Sequence, residues 1–148
     1  MKSVVALLQK GLNLTGCLHW LPPLIGRITI AVVFIEAGWR KLNSIPKVVG
    51  FFTNLGIPMP MANAVLVANT EFICGLAVLL GLCTRLASIP LVVIMTVALM
   101  TAKRAAIEGP SDIFEISEFL FIVILVWLII EGAGAFSLDR RLWKKLKS

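Results

Sequence analysis

The chain has 148 residues, of which 59% are hydrophobic and only 15% are charged, and its mean hydropathy is +0.96. This composition excludes an ordinary soluble domain and an intrinsically disordered chain. The net charge of +6 does not indicate a nucleic-acid-binding protein, because the basic residues lie at the ends of apolar segments, where they flank a lipid bilayer. We therefore predict an all-α integral membrane protein in which residues 1–148 form a single domain.

Four apolar segments are each long enough, at about 18–20 residues, to cross a hydrocarbon core about 30 Å thick as helices. We place these first to fourth predicted spans at about 22–41, 64–83, 89–106 and 115–131. The segments are too long and too continuous for the strands of a membrane barrel, whereas helices satisfy their own backbone hydrogen bonds in lipid. The prediction is a bundle of four transmembrane helices.

Three segments outside these spans are predicted to lie at the membrane surface. Residues 1–20 have the pattern of a short amphipathic helix, and residues 137–148 form a basic amphipathic tail. Residues 44–61 connect the first two spans and are too apolar for a solvated loop. We predict an interfacial or re-entrant lid there, with Ser44 as the cap of a short helix.

Both termini of a protein with four spans lie on one side of the membrane. That side carries the larger set of basic residues, namely Lys2, Lys10, Arg85, Arg140, Arg141, Lys144, Lys145 and Lys147. The opposite side carries Arg40, Lys41, Lys47, Lys103 and Arg104. The positive-inside rule therefore predicts cytoplasmic termini. No signal-peptide cleavage site follows the apolar residues near the N-terminus, so we expect the first span to act as the insertion signal.

Charged residues of the first predicted span lie on different faces of a helical wheel. Glu36 and Arg40 are four residues apart and can form an ion pair. A separate stripe, with steps of three and four residues, consists of Arg27, Ala31, Phe34, Gly38 and Lys41. Arg27 has a similar depth to Glu131 at the end of the fourth span, and we predict that these two residues form a structural pair.

Glu71 is the first candidate for a functional residue, because it lies inside the second predicted span. An ionisable side chain in hydrocarbon is costly unless it is paired, protonated or in contact with water. The other members of its stripe, at steps of three and four residues, are Ala64, Ala68, Gly75 and Val78. Small residues allow close contact between helices, so Glu71 is predicted to face protein or a cavity rather than lipid. Arg85 is predicted to end this span at the opposite membrane face.

A layer of charges falls at a similar depth in the outer half of the bilayer. Its members are Glu36, Glu71, Glu118, Arg40, Lys41, Lys103 and Arg104. We predict that they form a polar pocket beneath the lid. At the start of the fourth span, Asp112 is predicted to be the helix cap and Glu115 to complete a capping box.

The residues do not predict a metal site or an intrinsic cofactor. His19 is the single histidine, so no second histidine can complete a site. The three cysteines form no CxxC pair and are interpreted as apolar filler; they are Cys17, Cys74 and Cys83. The chain has no haem ligand pair, no iron–sulfur cysteine set and no dinucleotide fingerprint.

Four pieces of the sequence, in this order, resemble the DoxX family of small four-helix membrane proteins. They are FIEAGWRKL at 34–42, FFTNLGIP at 51–58, EFICGLAVLLGLCTRLA at 71–87 and GAGAFSLD at 132–139. The family takes its name from a subunit associated with thiosulfate:quinone oxidoreduction, and its members are attached to redox, oxidative-stress and receptor-assembly roles. The resemblance implies a quinone as a candidate ligand, and we expect a location in a bacterial inner membrane.

The resemblance also implies particular residues. The positions of this sequence that match the family pattern are Gly38, Lys41, Glu71, Arg85 and either Glu115 or Glu118. Family members often have a histidine near the end of the third span, where this chain has Lys103. That departure argues against metal binding or proton transfer through such a histidine.

Our first functional hypothesis is a quinone-interacting subunit of a membrane oxidoreductase complex. Glu71 and Lys41 are its catalytic candidates, because a quinone needs a hydrogen-bond donor and a proton source. The candidates for substrate binding are Glu36, Arg40, Lys103 and Glu118. The structural candidates are Arg27, Gly38, Gly75, Arg85 and Glu131. Because the chain has no redox centre of its own, the electrons are expected from a partner protein or a soluble reductant.

The alternative hypothesis is a non-catalytic scaffold or assembly partner, whose charges bind another membrane protein or a second copy of this chain. A third hypothesis, a transporter for a small anion, follows from the cations Arg40, Lys41, Lys103 and Arg104. Four spans without a visible internal repeat argue against transport by a single chain. In all three cases the lipid bilayer is the first partner, and no nucleic acid is expected.

Overall fold

The computed structural model describes most of the membrane domain. The described residues are 20–104, 107, 109, 111–134, 137 and 138. The predicted surface helix at 1–20 lies outside them apart from Trp20, and the predicted basic tail lies outside them apart from Ser137 and Leu138.

All regular secondary structure of the described residues is helical, which confirms the all-α prediction for that part of the chain. The helices are α1 (Leu21–Leu42), α2 (Ile45–Asn54), α3 (Pro60–Leu80), α4 (Thr84–Thr101), α5 (Asp112–Glu115) and α6 (Ser117–Glu131). The predicted short helix of residues 44–61 is α2. Ser44 occupies its N-cap position, although its side chain makes no capping hydrogen bond.

Three helices are long and apolar enough to cross a membrane: α1 with 22 residues, α3 with 21 and α4 with 18. They correspond to the first three predicted spans. The helix that corresponds to the fourth span, α6, has 15 residues, or about 22 Å at 1.5 Å per residue. The protein is therefore an integral membrane protein with three helices of full spanning length in the described part of the chain.

The turn between α3 and α4 comes earlier than predicted. Gly81 has a left-handed backbone conformation with φ of 66°, and the N–H of Leu82 donates to the carbonyl of Ala77 at 2.9 Å. This pairing, with the bond from the Gly81 N–H to Val78, closes α3 as a Schellman motif. Arg85 consequently lies in the first turn of α4, and the prediction that it ends the second span is wrong.

The start of the fourth predicted span also differs from the prediction. Ile116 has an extended backbone with ψ of 120° and separates α5 from α6. Ser111, not Asp112, occupies the N-cap position of α5, and no side chain caps either helix. The predicted capping box is therefore wrong. Asp112 instead accepts a hydrogen bond from the N–H of Gly109 at 2.7 Å.

The four longest helices pack as a ring in the order α1, α3, α4, α6, and α2 packs against α3 and α1. The most extensive contacts join α1 to α3 and α4 to α6. The core between them is formed by Ile30, Ala31, Phe34, Val78, Ala87, Leu91, Leu125 and Leu128. The buried residues of α3 are the five members of the predicted stripe, Ala64, Ala68, Glu71, Gly75 and Val78. Helical periodicity thus predicted the inward face of α3.

Candidate functional site

A cavity of about 700 Å³ lies between the helices of the ring, with α2 forming one of its walls. This volume falls within the range of about 300–1,000 Å³ that is usual for sites of small organic ligands. Most of the lining is apolar, and representative members from five helices are Phe34, Phe52, Val67, Ile94 and Phe121. The cavity therefore suits a mainly apolar ligand, and its few polar groups can orient that ligand.

Lys41 and Glu71 form the central polar contact of the cavity wall. The Nζ atom of Lys41 donates to both carboxylate oxygens of Glu71, at 2.5 Å each. The Glu71 side chain is 0% exposed, whereas that of Lys41 is 30% exposed. Both residues line the cavity. The carboxylate is thus fully covered by protein, whereas the Lys41 side chain that contacts it is partly exposed.

Two glycines bring α1 and α3 close together around this ion pair. A Cβ atom added at Gly38 would lie 2.6 Å from the backbone nitrogen of Phe72, which is the residue after Glu71. A Cβ atom added at Gly75 would lie 3.0 Å from the backbone nitrogen of Ile35. Both distances are shorter than ordinary contacts, so larger residues would push the helices apart. The close approach of α1 and α3 lets the Lys41 ammonium reach the Glu71 carboxylate.

A second pair of charges lines the same cavity where α4 ends and α6 begins. Lys103 Nζ lies 3.7 Å from Glu118 Oε1, and both side chains are partly exposed. The structure thus brings together four of the six predicted catalytic and substrate-binding residues: Lys41, Glu71, Lys103 and Glu118.

The other two predicted binding residues, Glu36 and Arg40, do not line the cavity. Arg40 Nη1 lies 3.7 Å from Glu36 Oε1, and their side chains are 71% and 63% exposed, respectively. They form the predicted ion pair, but on the outer face of α1. Arg104, the last cation of the predicted layer, is also absent from the cavity lining.

Two arginines contact the last turn of α6 and the segment that follows it, at the end of the bundle away from Lys41. Buried Arg27 donates from Nη1 to the carbonyl of Ala133 at 2.7 Å. Arg85 donates from Nη2 to the carbonyl of Ile130 at 3.0 Å. The structure thus gives both predicted structural arginines backbone acceptors near the end of α6. The pairing of Arg27 with Glu131 stays a prediction.

Sequence reasoning missed Lys47 as a residue of the site. It lies on α2 and lines the cavity together with Phe51, four residues further along the same helix. The spacing of Lys47 and Phe51 was a usable signal, because residues four apart share a helix face. With Lys41 and Lys103 it gives the cavity three cations against the two carboxylates of Glu71 and Glu118.

The chemistry of the site is that of hydrogen bonding and proton transfer. Within the described ranges, no group of three or more His, Cys, Asp or Glu side chains is placed to hold a metal ion. The polar atoms that reach the cavity are ammonium donors, carboxylate acceptors and a few neutral side chains such as Asn63 and Thr101. Such groups can bind a polar head group and exchange protons with it.

The sequence profile of the DoxX family, described as DoxX, matches residues 23–104, which is more than half of the chain. The chain is 32% identical to the uncharacterized membrane protein Rv3486 of Mycobacterium tuberculosis, with 80% of each chain covered. It is 31% identical to the inner membrane protein YqjF of Escherichia coli, with 82% of this chain and 92% of that one covered.

A Bacillus subtilis protein named "Putative oxidoreductase CatD" is 25% identical, with 84% of this chain and 90% of that protein covered. No solved structure shows a significant match. The family profile covers more than half of the chain, and both Rv3486 and YqjF exceed 30% identity over about four fifths of it. This protein is therefore a member of the DoxX family of membrane proteins.

Proposed function

We propose that this protein binds a quinone in the cavity and serves as the membrane subunit of an oxidoreductase system. The observation that carries the proposal is a fully buried carboxylate, Glu71, paired with Lys41 at the wall of an apolar cavity of about 700 Å³. A quinone has an apolar tail and a ring whose two carbonyl oxygens accept hydrogen bonds. The apolar lining suits the tail, and the Lys41 ammonium can donate to a ring oxygen. The name of the CatD relative gives independent support for redox chemistry.

The roles of the two residues follow from their geometry. Lys41 has three N–H donors, and its contacts with Glu71 leave a donor available for a carbonyl oxygen in the cavity. Glu71 holds the ammonium in place and keeps it charged, and the ammonium is the proton source closest to that oxygen. The partial exposure of Lys41 and the full burial of Glu71 mean that the ligand meets Lys41 first.

Reduction of a quinone to a hydroquinol consumes two electrons and two protons. We assign the electrons to a redox centre of a partner protein, such as a flavin. Lys41, which is partly exposed, passes a proton from its ammonium to a ring oxygen and regains one from water, once for each of the two protons, and Glu71 stabilises the charged form of Lys41. Lys103 and Glu118 provide a polar route by which water can reach the site, since both line the cavity and are partly exposed.

The membrane topology that accompanies this function has four spans. We propose that α6 is the fourth span, because it packs against α4 and α1 and contributes Leu125 and Leu128 to the core. In this arrangement α2 is the predicted re-entrant lid over the cavity, and residues 1–148 act as one domain. The basic-residue count supports cytoplasmic termini, and the relative YqjF, which is named an inner membrane protein, supports that membrane as the location.

The test is thermal stability of the purified protein with and without a quinone. A ligand that binds only the folded state stabilises it by about 2.7 kcal/mol at one hundred times its dissociation constant. We expect a clear rise in the unfolding temperature of the wild-type protein with ubiquinone or menaquinone analogues. Glu71→Gln should fold but lose the rise.

Glu36→Gln is the matched control, because it makes the same chemical change at an exposed carboxylate outside the cavity. It should retain the full quinone-dependent rise. A wild-type protein that shows no rise with any quinone would contradict the proposed function. Equal loss of the rise in both variants would contradict the assignment of Glu71 to the site.

The alternative function is that of a scaffold for another membrane protein, and one observation favours it. Glu36 and Arg40 form an ion pair on the outer face of α1, where a single chain in lipid leaves both groups without protein cover. A partner protein, or a second copy of this chain, would supply that cover. We expect Glu36→Leu with Arg40→Leu to release a partner that co-purifies with the wild-type protein in mild detergent. Glu71→Gln should retain it.

A further inference from the structure

The two sides of the cavity differ in how well their side chains are covered. On the side of α1 and α6, Phe34 is buried and Phe121 is half-buried. On the side of α3 and α4, the lining residues Leu66, Val93 and Val97 are 59%, 56% and 47% exposed. We call these three residues the α3–α4 slot. The slot is the place where the cavity reaches the outer surface of the ring.

The architecture of α4 explains why the slot is open. The buried residues of α4, which the structure describes throughout, all lie between Thr84 and Leu91. Pro90 lies inside the helix where this buried part ends, and a proline in a helix interior removes a backbone hydrogen bond and favours a kink. Beyond Leu91, α4 lines the cavity, and none of its residues is fully buried. Since α2 packs against α3 and α1, it does not close that side.

The slot has the chemistry of a path for hydrocarbon. Its three side chains are apolar, and Phe51 of α2, also exposed and also lining the cavity, extends the apolar rim. Lys41 and Glu71 line the cavity and are not part of the α3–α4 slot. In a membrane, exposed apolar residues of a spanning helix face the lipid chains. The three slot side chains offer no polar contact to a water-soluble molecule.

We propose that the ligand moves sideways from the bilayer through the α3–α4 slot, so that its head group reaches Lys41 and Glu71 while its hydrocarbon tail stays between Leu66 and Val97. For the identity of the head group, this inference rests on the proposed function. The tail is an isoprenoid or an acyl chain, since both have the apolar chemistry that the slot accepts. The ligand is therefore an amphiphile that is longer than the cavity.

The test uses the wild-type protein in lipid nanodiscs with two photoreactive probes. One is a quinone with a diazirine on its isoprenoid tail, and the other is a phosphatidylethanolamine with a diazirine on an acyl chain. Mass spectrometry of the cross-linked peptides then locates the tails. Ile73 on α3 and Met100 on α4 are reference positions, because they are at least as exposed as the slot residues, at 62% and 67%, but do not line the cavity.

We expect the quinone probe to label slot residues about tenfold more than the reference positions, which corresponds to the burial of about two methylene groups of the tail. Leu66→Trp should remove this excess at Val93 and Val97, whereas Ile73→Trp should leave it unchanged. If only the phospholipid probe labels the slot in excess, the quinone function fails but the slot stands as an acyl-chain site. Labelling of the slot at the level of the reference positions by both probes would overturn the inference.

Discussion

Lys41 and Glu71 should be strongly coupled in their contribution to the free energy of unfolding. Removing either residue alone should destabilise the protein, but by different amounts. Lys41→Met leaves the Glu71 carboxylate, which is 0% exposed, without its ammonium partner. Breaking a buried ion pair by removal of one partner costs about 3–5 kcal/mol. Glu71→Leu leaves Lys41, whose side chain is 30% exposed and can turn its ammonium towards the polar side chains of the cavity. That variant should lose only about 1–2 kcal/mol.

The double variant, Lys41→Met with Glu71→Leu, should regain most of this loss. Replacement of a buried ion pair by apolar residues of similar volume is often neutral, and it can stabilise by about 1–4 kcal/mol. The double-mutant cycle should therefore give a coupling energy of at least about 3 kcal/mol. Despite its stability, the double variant should show no quinone-dependent rise in unfolding temperature, because both polar groups of the site are gone.

The assay is reversible unfolding of the purified protein in mixed micelles, followed by far-ultraviolet circular dichroism. Glu36→Leu and Arg40→Met provide the control cycle, because this exposed pair should give a coupling energy of only about 0–1 kcal/mol. If the two single variants lose free energies of unfolding that add up to the loss in the double variant, the buried pair is refuted. A larger loss in Glu71→Leu than in Lys41→Met would refute the inequality that we derive from their exposures.

Two further predictions use pairs of glycines that differ in their surroundings. Gly38→Ala should destabilise by about 1–3 kcal/mol because its Cβ would lie 2.6 Å from the backbone of Phe72. By contrast, Gly50→Ala, with open space around it, should stabilise α2 by about 0.5–1 kcal/mol. Both unfolding temperatures are measured without ligand, and equal shifts would contradict the close approach of α1 and α3. Gly81 and Gly56 both have positive φ, but only at Gly81 would a Cβ meet other atoms. Gly81→Ala should therefore lower the free energy of unfolding by about 1–3 kcal/mol more than Gly56→Ala. Equal losses would show that backbone conformation alone determines the cost.

The sequence predicted the inward face of α3 because steps of three and four residues brought small residues and one carboxylate onto a single stripe. It misplaced the end of that helix because glycine has two opposite roles in the same apolar run. Gly75 stays within the helix and packs against Ile35, whereas Gly81 ends the helix in a left-handed conformation. Composition does not distinguish these roles, since the contacts that decide them come from other helices.

Within α1, depth and helix face together decide which of the predicted site residues line the cavity. Lys41 follows buried Gly38 by three residues and therefore shares its face. Glu36 precedes Gly38 by two residues, or about 200° around the helix, and so points away from the cavity despite its suitable depth. Lys47 was missed for a different reason, because α2 was interpreted as an apolar lid and its one cation was not placed on the cavity side.

The position of Glu71 is difficult to explain by stability alone. An apolar residue at this place would pack against the same neighbours without the loss of hydration that a buried carboxylate incurs. The chain nevertheless places its only fully buried carboxylate in the described residues beside its large cavity, and two glycines hold the neighbouring helix close enough for Lys41 to reach it. Of the three ion pairs in the described part of the chain, the most deeply buried one lines the cavity, whereas the most exposed one lies outside it. The most deeply buried ion pair thus lies where it can act on a ligand in the cavity.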